Sequence, residues 1–123
     1  MTPLLVVDAA NVVGSVPDGW WRDRAGAAIR LRDRLVPLTE SGLADLPGPL
    51  EIVLVVEGRA RNTPPTPGVR VEAAPASGDD AIVAVVAAAG DDRRVIVVTA
   101  DRELRRRVSA LGAEVRGPSA VPR

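Results

Sequence analysis

Three carboxylates follow the most hydrophobic segments of the chain. Asp8 comes directly after LLVV, Glu57 directly after IVLVV, and Asp101 within three residues of VIVV, while an acidic pair, Asp79 and Asp80, lies in the segment SGDDAIV. Carboxylate oxygens are the donors that Mg²⁺ and Mn²⁺ prefer. Bunched carboxylates repel one another, and such a cluster normally persists around a cation. If these side chains converge, they predict a site for a divalent cation.

The residue types that are missing narrow the chemistry. The chain of 123 residues contains no Cys, His, Tyr or Phe, and all 16 of its basic residues are Arg. The absence of Cys, His and Lys therefore excludes several kinds of chemistry: disulfides, zinc–thiolate sites, Cys nucleophiles, His general bases and Lys Schiff bases. An enzyme of this composition must use Asp, Glu, Ser, Thr, Asn or Arg, together with a hard cation. The formal net charge of zero gives no overall electrostatic footprint for nucleic acid.

Each acid also has a purely structural interpretation. Asp8 could accept bonds in the loop that follows its segment. Asp101 is well placed to cap a helix, and Ser77 with Asp80 has the spacing of a capping box. Glu57 could simply be solvated. The coincidence of all these acids at one edge of a sheet nevertheless favours a functional cluster.

The elements that must position these acids are mainly buried strands. Residues 4–7, 52–56 and 95–98 are continuous apolar runs rich in β-branched side chains, which is typical of parallel strands covered on both faces. Residues 69–73 alternate apolar and charged side chains and predict an edge strand. A last short strand is predicted over residues 113–116.

Helices are predicted between the strands. Residues 20–36, 79–89 and 101–111 have helical spacing of apolar side chains, with Pro37 ending the first and Gly112 ending the last. Alternation of strands and helices predicts a doubly wound α/β sandwich. In such sheets, sites form at the carboxyl ends of the strands, so Asp8, Glu57 and Asp101 should share one edge.

Basic and aromatic residues lie close to the predicted site. Arg59 follows Glu57, and Arg102 follows Asp101. Both arginines could contact phosphates, and equally both could be solvated partners of nearby acids. Trp20 and Trp21 could stack a base or anchor the first helix on the sheet.

The ordered segments LLVVDAANVVGS, VLVVEG, SGDDAIV and VVTADRELRRRVSALGAEVRGPS resemble the NYN domain family of PIN-like nucleases. The strongest parts are D-x-x-N after the first strand and V-T-x-D-x-x-L followed by G-A. The resemblance covers nearly the whole chain. It implies a PIN-like three-layer α/β/α sandwich with a central, mostly parallel sheet of four to five strands. The domain would span residues 1–116, with a short C-terminal tail at 117–123.

The same resemblance implies a Mg²⁺- or Mn²⁺-dependent ribonuclease that hydrolyses RNA phosphodiester bonds at an acidic cleft. Asp8 and Asp101 match metal-binding aspartates of the family at strand ends. The pair Asp79 and Asp80 matches the aspartate at a helix start, with a register ambiguous by one residue. These four residues are the predicted catalytic and metal-binding set. Glu57 is a further predicted metal ligand and stands where many members have Asp.

Four residues are predicted to bind substrate beside these acids. Asn11 matches the family asparagine next to the site, and Thr99, Arg59 and Arg102 lie at the predicted strand ends or just after them.

Other functions fit parts of the sequence. A catalytically weak PIN-like module that binds RNA or protein is the main alternative, and a toxin-type ribonuclease is a variant of the enzyme hypothesis. A receiver-like phospho-acceptor or a haloacid-dehalogenase-type phosphatase fits poorly, because one Asp rather than two ends the first strand and no Lys is present.

RNA is the expected partner, and a homodimer, an antitoxin or another protein partner is compatible with the surface composition. No membrane partner is expected, because the apolar runs are too short to span a bilayer. Asp8 interrupts the first run, so no signal peptide is predicted and a cytoplasmic location is expected.

Overall fold

A five-stranded parallel sheet runs through the middle of the protein. The computed structural model describes residues 1–122, and every strand pair of this sheet is parallel. Two further two-residue strands pair antiparallel with each other. The strands are β1 (Leu4–Asp8), β2 (Gly42–Leu43), β3 (Leu46–Pro47), β4 (Glu51–Val56), β5 (Val69–Ala73), β6 (Val95–Val98) and β7 (Glu114–Arg116).

Strand β1 occupies the centre of the sheet, whose order is β5-β4-β1-β6-β7. All of β1 and β6 is buried, which explains why their sequences are unbroken apolar runs. The chain moves outward from β1 through β4 to β5 and then returns to the other side of β1 at β6. The carboxyl ends of β1 and β6 therefore mark the point where strand order reverses, which is where open α/β sheets bind ligands.

Within the described residues, five α-helices and two short 3₁₀ segments lie between the strands, and a third 3₁₀ segment follows β7. The 3₁₀ segments are Trp20–Arg22, Gly58–Ala60 and Pro118–Ala120. The α-helices are α1 (Ala9–Gly14), α2 (Arg24–Leu35), α3 (Leu38–Ser41), α4 (Gly78–Ala89) and α5 (Arg102–Ala110).

Helices cover both faces of the sheet and give it two separate cores. On one face, Leu5 and Val7 of β1 pack with Leu31 and Leu35 of α2. On the other face, β1 packs with α4 and α5 through Val6, Ile82 and Leu104, among others. Alternate residues of β1 thus enter opposite cores, as a pleated strand requires. The fold is the α/β/α sandwich with a parallel sheet that the sequence predicts.

The helix predicted from residue 20 is divided at Asp23. Residues 20–22 form a separate 3₁₀ turn after Gly19, whose φ of +82° suits glycine. The Asp23 side chain then accepts a bond of 2.9 Å from the N–H of Gly26 and caps α2. This division leaves Trp20 on a turn rather than inside a helix.

The sequence does not predict helix α1, helix α3 or the β2–β3 pair. The predicted tail is also packed against the domain, since Val121 is only 4% exposed and belongs to the core beside α2. Arg123, the last residue of that predicted tail, lies outside the described residues. No helix between residues 1 and 122 combines the length and apolar character needed to cross a membrane.

Candidate active site

The Asp8 carboxylate lies at the carboxyl end of the central strand, where the strand order reverses. The residue is only 5% exposed. The Thr99 hydroxyl, directly after β6, donates a hydrogen bond of 2.9 Å to Asp8 Oδ2. The backbone N–H of Asn11 approaches Asp8 Oδ1 at 3.5 Å, a long contact. The Thr99 bond joins the ends of two neighbouring strands and fixes the orientation of Asp8.

Thr99 itself is fully buried, with 0% exposure. While donating to Asp8, its hydroxyl accepts a bond of 3.1 Å from the N–H of Asp101. Its carbonyl accepts a bond of 2.8 Å from Arg105 Nε. These contacts argue against the predicted substrate contact, because a buried hydroxyl engaged twice within the protein has no surface for a ligand. Thr99 is a positioning residue for Asp8.

Asn11 links helix α1 to the loop after β6. Its side-chain oxygen accepts a bond of 3.0 Å from the N–H of Ala100. The same residue therefore touches both loops at the reversal point, one through its backbone and one through its side chain. Its amide NH₂ group makes no hydrogen bond to the described residues and is available to a ligand.

Asp101 both caps helix α5 and faces the site. Its Oδ1 accepts a bond of 2.9 Å from the N–H of Leu104, as its structural interpretation predicts. Its Oδ2 accepts no hydrogen bond from the part of the chain that the structure describes. One oxygen thus serves the helix and the other is free for a cation.

Glu57 reaches from the end of β4 to the start of α4. Its Oε2 accepts a bond of 3.0 Å from the N–H of Gly78. A Cβ atom at position 78 would lie 3.0 Å from Glu57 Oε1, so glycine allows this close approach of the carboxylate. Glu57 is therefore held in place rather than freely solvated.

The two acids at the start of α4 have different surroundings. Asp79 lies near enough to Asp101 and Glu57 for their charges to raise its pKa. Asp80 points elsewhere: its Oδ1 accepts a bond of 3.0 Å from Arg107, and it lines a groove of about 640 Å³ between α4 and β5. Asp79 is therefore the member of the pair that joins the other acids.

Burial and mutual repulsion raise the pKa of two of these carboxyls. The pKa of Asp8 is raised mainly by burial and further by the charges of Asp79 and Glu57, against the hydrogen bonds from Thr99 and Asn11. The pKa of Asp79 is raised mainly by burial and then by the charges of Asp101 and Glu57. These four acids thus form one electrostatically linked group, which we call the acidic cluster: Asp8, Glu57, Asp79 and Asp101.

The donor chemistry of the acidic cluster fits a hard cation, although its spacing is open. No three acidic side chains within residues 1–122 are grouped closely enough to hold a metal ion together. Mg²⁺ commonly uses only one or two carboxylates and keeps several waters. Free acceptor capacity on Asp101 and Glu57, and the repulsion that raises the pKa of Asp8 and Asp79, suit such a partly hydrated ion.

The two arginines predicted to bind substrate are exposed near this edge. Arg102 begins α5, and Arg59 lies on the turn after β4. Neither forms a hydrogen bond or ion pair with another described residue. Arg59 also lines a pocket of about 300 Å³, together with Glu57 and Trp20.

Three positions contribute to the site that sequence reasoning does not assign to it. Gly78 leaves room for the Glu57 carboxylate. The only sign of this contact in the sequence is that a glycine stands between Ser77 and the acidic pair. Arg105 holds the carbonyl of Thr99, whereas helical spacing places it merely off the apolar face. Arg24 lies over the Trp20 ring with no signal in the sequence.

Comparison with known proteins identifies the fold. No protein-family model matches the chain, and neither does any curated protein sequence. A crystal structure of Rae1 (YacP) from Bacillus subtilis superimposes with a TM-score of 0.79 at 14% identity, covering 97% of this chain and 71% of Rae1. A single-residue mutant of Rae1 gives a TM-score of 0.72 at 15% identity, covering 95% of this chain and 70% of the mutant. The fold is therefore PIN-like.

Proposed function

We propose that the protein is a divalent-cation-dependent ribonuclease that hydrolyses RNA phosphodiester bonds at the acidic cluster. The observation that carries this proposal is the placement of Asp8, held by Thr99 at 2.9 Å, at the reversal point of a PIN-like sheet with three further acids beside it. The absence of His, Cys and Lys from the sequence leaves metal-assisted hydrolysis as the chemistry best suited to these residues.

Asp8 and Asp101 are the proposed ligands of a partly hydrated cation, and Asp79 and Glu57 add negative charge beside it. A bound Mg²⁺ or Mn²⁺ would acidify a water molecule and offset the negative charge of the phosphate. Thr99 keeps the Asp8 carboxylate in one orientation, and the capping bond to Leu104 does the same for Asp101. Asn11 and Arg102 are placed to contact the phosphate or ribose from either side of the reversal point.

The decisive test is RNA cleavage by Asp8→Asn and Asp101→Asn beside the unaltered protein, with Mg²⁺ or Mn²⁺ and with EDTA. Asparagine is a good helix cap, so Asp101→Asn should keep α5 intact. Asp92→Asn is the matched control, because Asp92 is an exposed acid on the turn between α4 and β6. We expect each site variant to lose at least about 100-fold in rate, since even outer-shell partners of a metal ligand contribute 10- to 100-fold.

A binding module without catalysis is the second candidate function. The open spacing of the acids favours it. Calorimetry with Mn²⁺ distinguishes the two functions. If the protein binds RNA without cutting it and Mn²⁺ gives no heat of binding, the protein is a binding module and not a nuclease. Metal-dependent cleavage that survives in folded Asp8→Asn and Asp101→Asn would place the reaction elsewhere.

A further inference from the structure

A small pocket opens beside the acidic cluster. It has a volume of about 300 Å³ and lies between α1, α2 and the turn after β4. Glu57 lines this pocket and also raises the pKa of Asp8, so the pocket and the acidic cluster share a residue. A ligand in the pocket would therefore lie next to a phosphate held at the cluster.

The pocket contains an aromatic platform. Trp20 is half-buried and lines it, and the Arg24 guanidinium lies 5.5 Å from the centroid of the Trp20 ring. Trp21 packs against Trp20 in a T-shaped pair, with centroids 6.0 Å apart and planes at 87°. The Arg24 guanidinium now lies over the Trp20 ring, and a flat group that takes its place can stack there.

Two arginines lie at the rim of the pocket. Arg24 and Arg59 are exposed, both line the pocket, and neither forms an ion pair within the described part of the chain. They share the pocket with Glu57, one of the four acids that would otherwise repel a polyanion. Guanidinium groups in this position suit phosphates on either side of a stacked base.

We propose that this pocket binds one unpaired nucleobase of the RNA, stacked on Trp20, next to the phosphate at the acidic cluster. The inference rests on the proposed ribonuclease function and requires that the base be unpaired, because bases inside a duplex are not free to stack on a side chain. The pocket volume is at the lower limit for small-ligand sites, which suits a single base with its sugar and phosphates outside. The remaining wall, including Val13 and Ala28, is apolar and suits the flat face of a ring.

The test is the binding of a short fluorescent single-stranded RNA of about six nucleotides, measured by anisotropy in EDTA so that the RNA stays intact. Trp20→Leu removes the platform but keeps an apolar side chain. Trp21→Phe is the control, since Trp21 is 53% exposed and does not line the pocket, and phenylalanine keeps an aromatic ring against Trp20. We expect Trp20→Leu to bind about 5- to 150-fold more weakly, the range for loss of one base–aromatic stack. An abasic strand of the same length should bind the unaltered protein equally weakly.

A second measurement covers the case in which Trp20→Leu does not fold. In Trp21→Phe, Trp20 is the sole indole, and its fluorescence should be quenched by the RNA and much less by the abasic strand. Equal binding by folded Trp20→Leu and the unaltered protein, or no quenching of Trp20, would overturn the base pocket. If RNA is still cleaved in either case, the base pocket is rejected and the proposed ribonuclease function is retained. If binding depends on Trp20 but no RNA is cleaved, the base pocket is retained and the ribonuclease function is rejected.

Discussion

Folding disfavours the ionised form of Asp79. Burial raises its pKa, and the charges of Asp101 and Glu57 raise it further. A carboxyl whose pKa is raised by folding contributes stability below its unfolded pKa and loses that contribution as pH rises through its folded pKa. At neutral pH without a cation, ionised Asp79 therefore opposes folding.

Asp79→Asn should raise the melting temperature at pH 7 in EDTA, because it removes this repulsion. The gain should shrink below about pH 4, where carboxyls of ordinary pKa become protonated in the unfolded chain. Thermal unfolding followed by circular dichroism between pH 3 and pH 8 measures the effect. Asp80→Asn is the control, since Asp80 is exposed and paired with Arg107; an equal gain in that variant would contradict the assignment of Asp79 to the acidic cluster.

The sequence alone cannot choose between Asp79 and Asp80. Both suit the first turn of a helix through the helix dipole, and adjacent helical residues differ by about 100° in direction. The choice depends on the position of α5, which brings Arg107 to within 3.0 Å of Asp80. Thr99 is similarly ambiguous, since a threonine after a strand has the same composition signal whether its hydroxyl faces a ligand or a neighbouring carboxylate.

At the scale of elements, the most predictable parts are those defined by hydrophobic runs. Strand β6 is predicted over the residues it occupies, and β5 is correctly predicted as an edge strand, because burial on both faces and on one face leave different patterns. Helix α1 is not predicted because its six residues form fewer than two helical turns and show no repeated apolar spacing. The β2–β3 pair, with two residues in each strand, is likewise too short to show alternation.

The contact between Asp8 and Thr99 connects two such elements, the ends of β1 and β6. Thr99→Val keeps the shape of the side chain but leaves the buried Asp8 oxygen and the Asp101 N–H without their partner. We expect a loss of about 1–3 kcal/mol in the free energy of unfolding and a fall in RNA cleavage of about 10- to 100-fold. Urea unfolding and cleavage rates measure both effects.

Thr99→Ser is the matched control for this bond, because it restores the hydroxyl and lacks only the methyl group. It should recover most of the cleavage rate. If Thr99→Ser loses stability and activity while Thr99→Val keeps both, then packing of the methyl group rather than the hydrogen bond holds the two strand ends together.

At the scale of the whole molecule, a net charge of zero conceals an uneven distribution. At the amino ends of the strands, arginines are neutralised within the protein: Arg93 pairs with Glu51, and Arg94 pairs with Glu114. At the opposite edge, Arg24 and Arg59 form no ion pair with the described residues and line a pocket with Glu57. A neutral total therefore does not exclude a local binding surface for a polyanion, contrary to what composition alone suggests.

This distribution predicts how RNA binding should depend on salt. Each phosphate neutralised on a single strand contributes about −0.7 to the slope of log K against log salt concentration. The double variant Arg24→Gln/Arg59→Gln should therefore bind short single-stranded RNA more weakly, with a slope about 1.4 less steep.

Arg70→Gln/Arg94→Gln removes the same charge from arginines that already pair with Glu51 and Glu114, and its slope should match that of the unaltered protein. If the two double variants have equal salt-dependence slopes, RNA binding depends on the total charge of the protein and not on contacts at the carboxyl edge of the sheet. Only a local contact would distinguish a free guanidinium from a paired one.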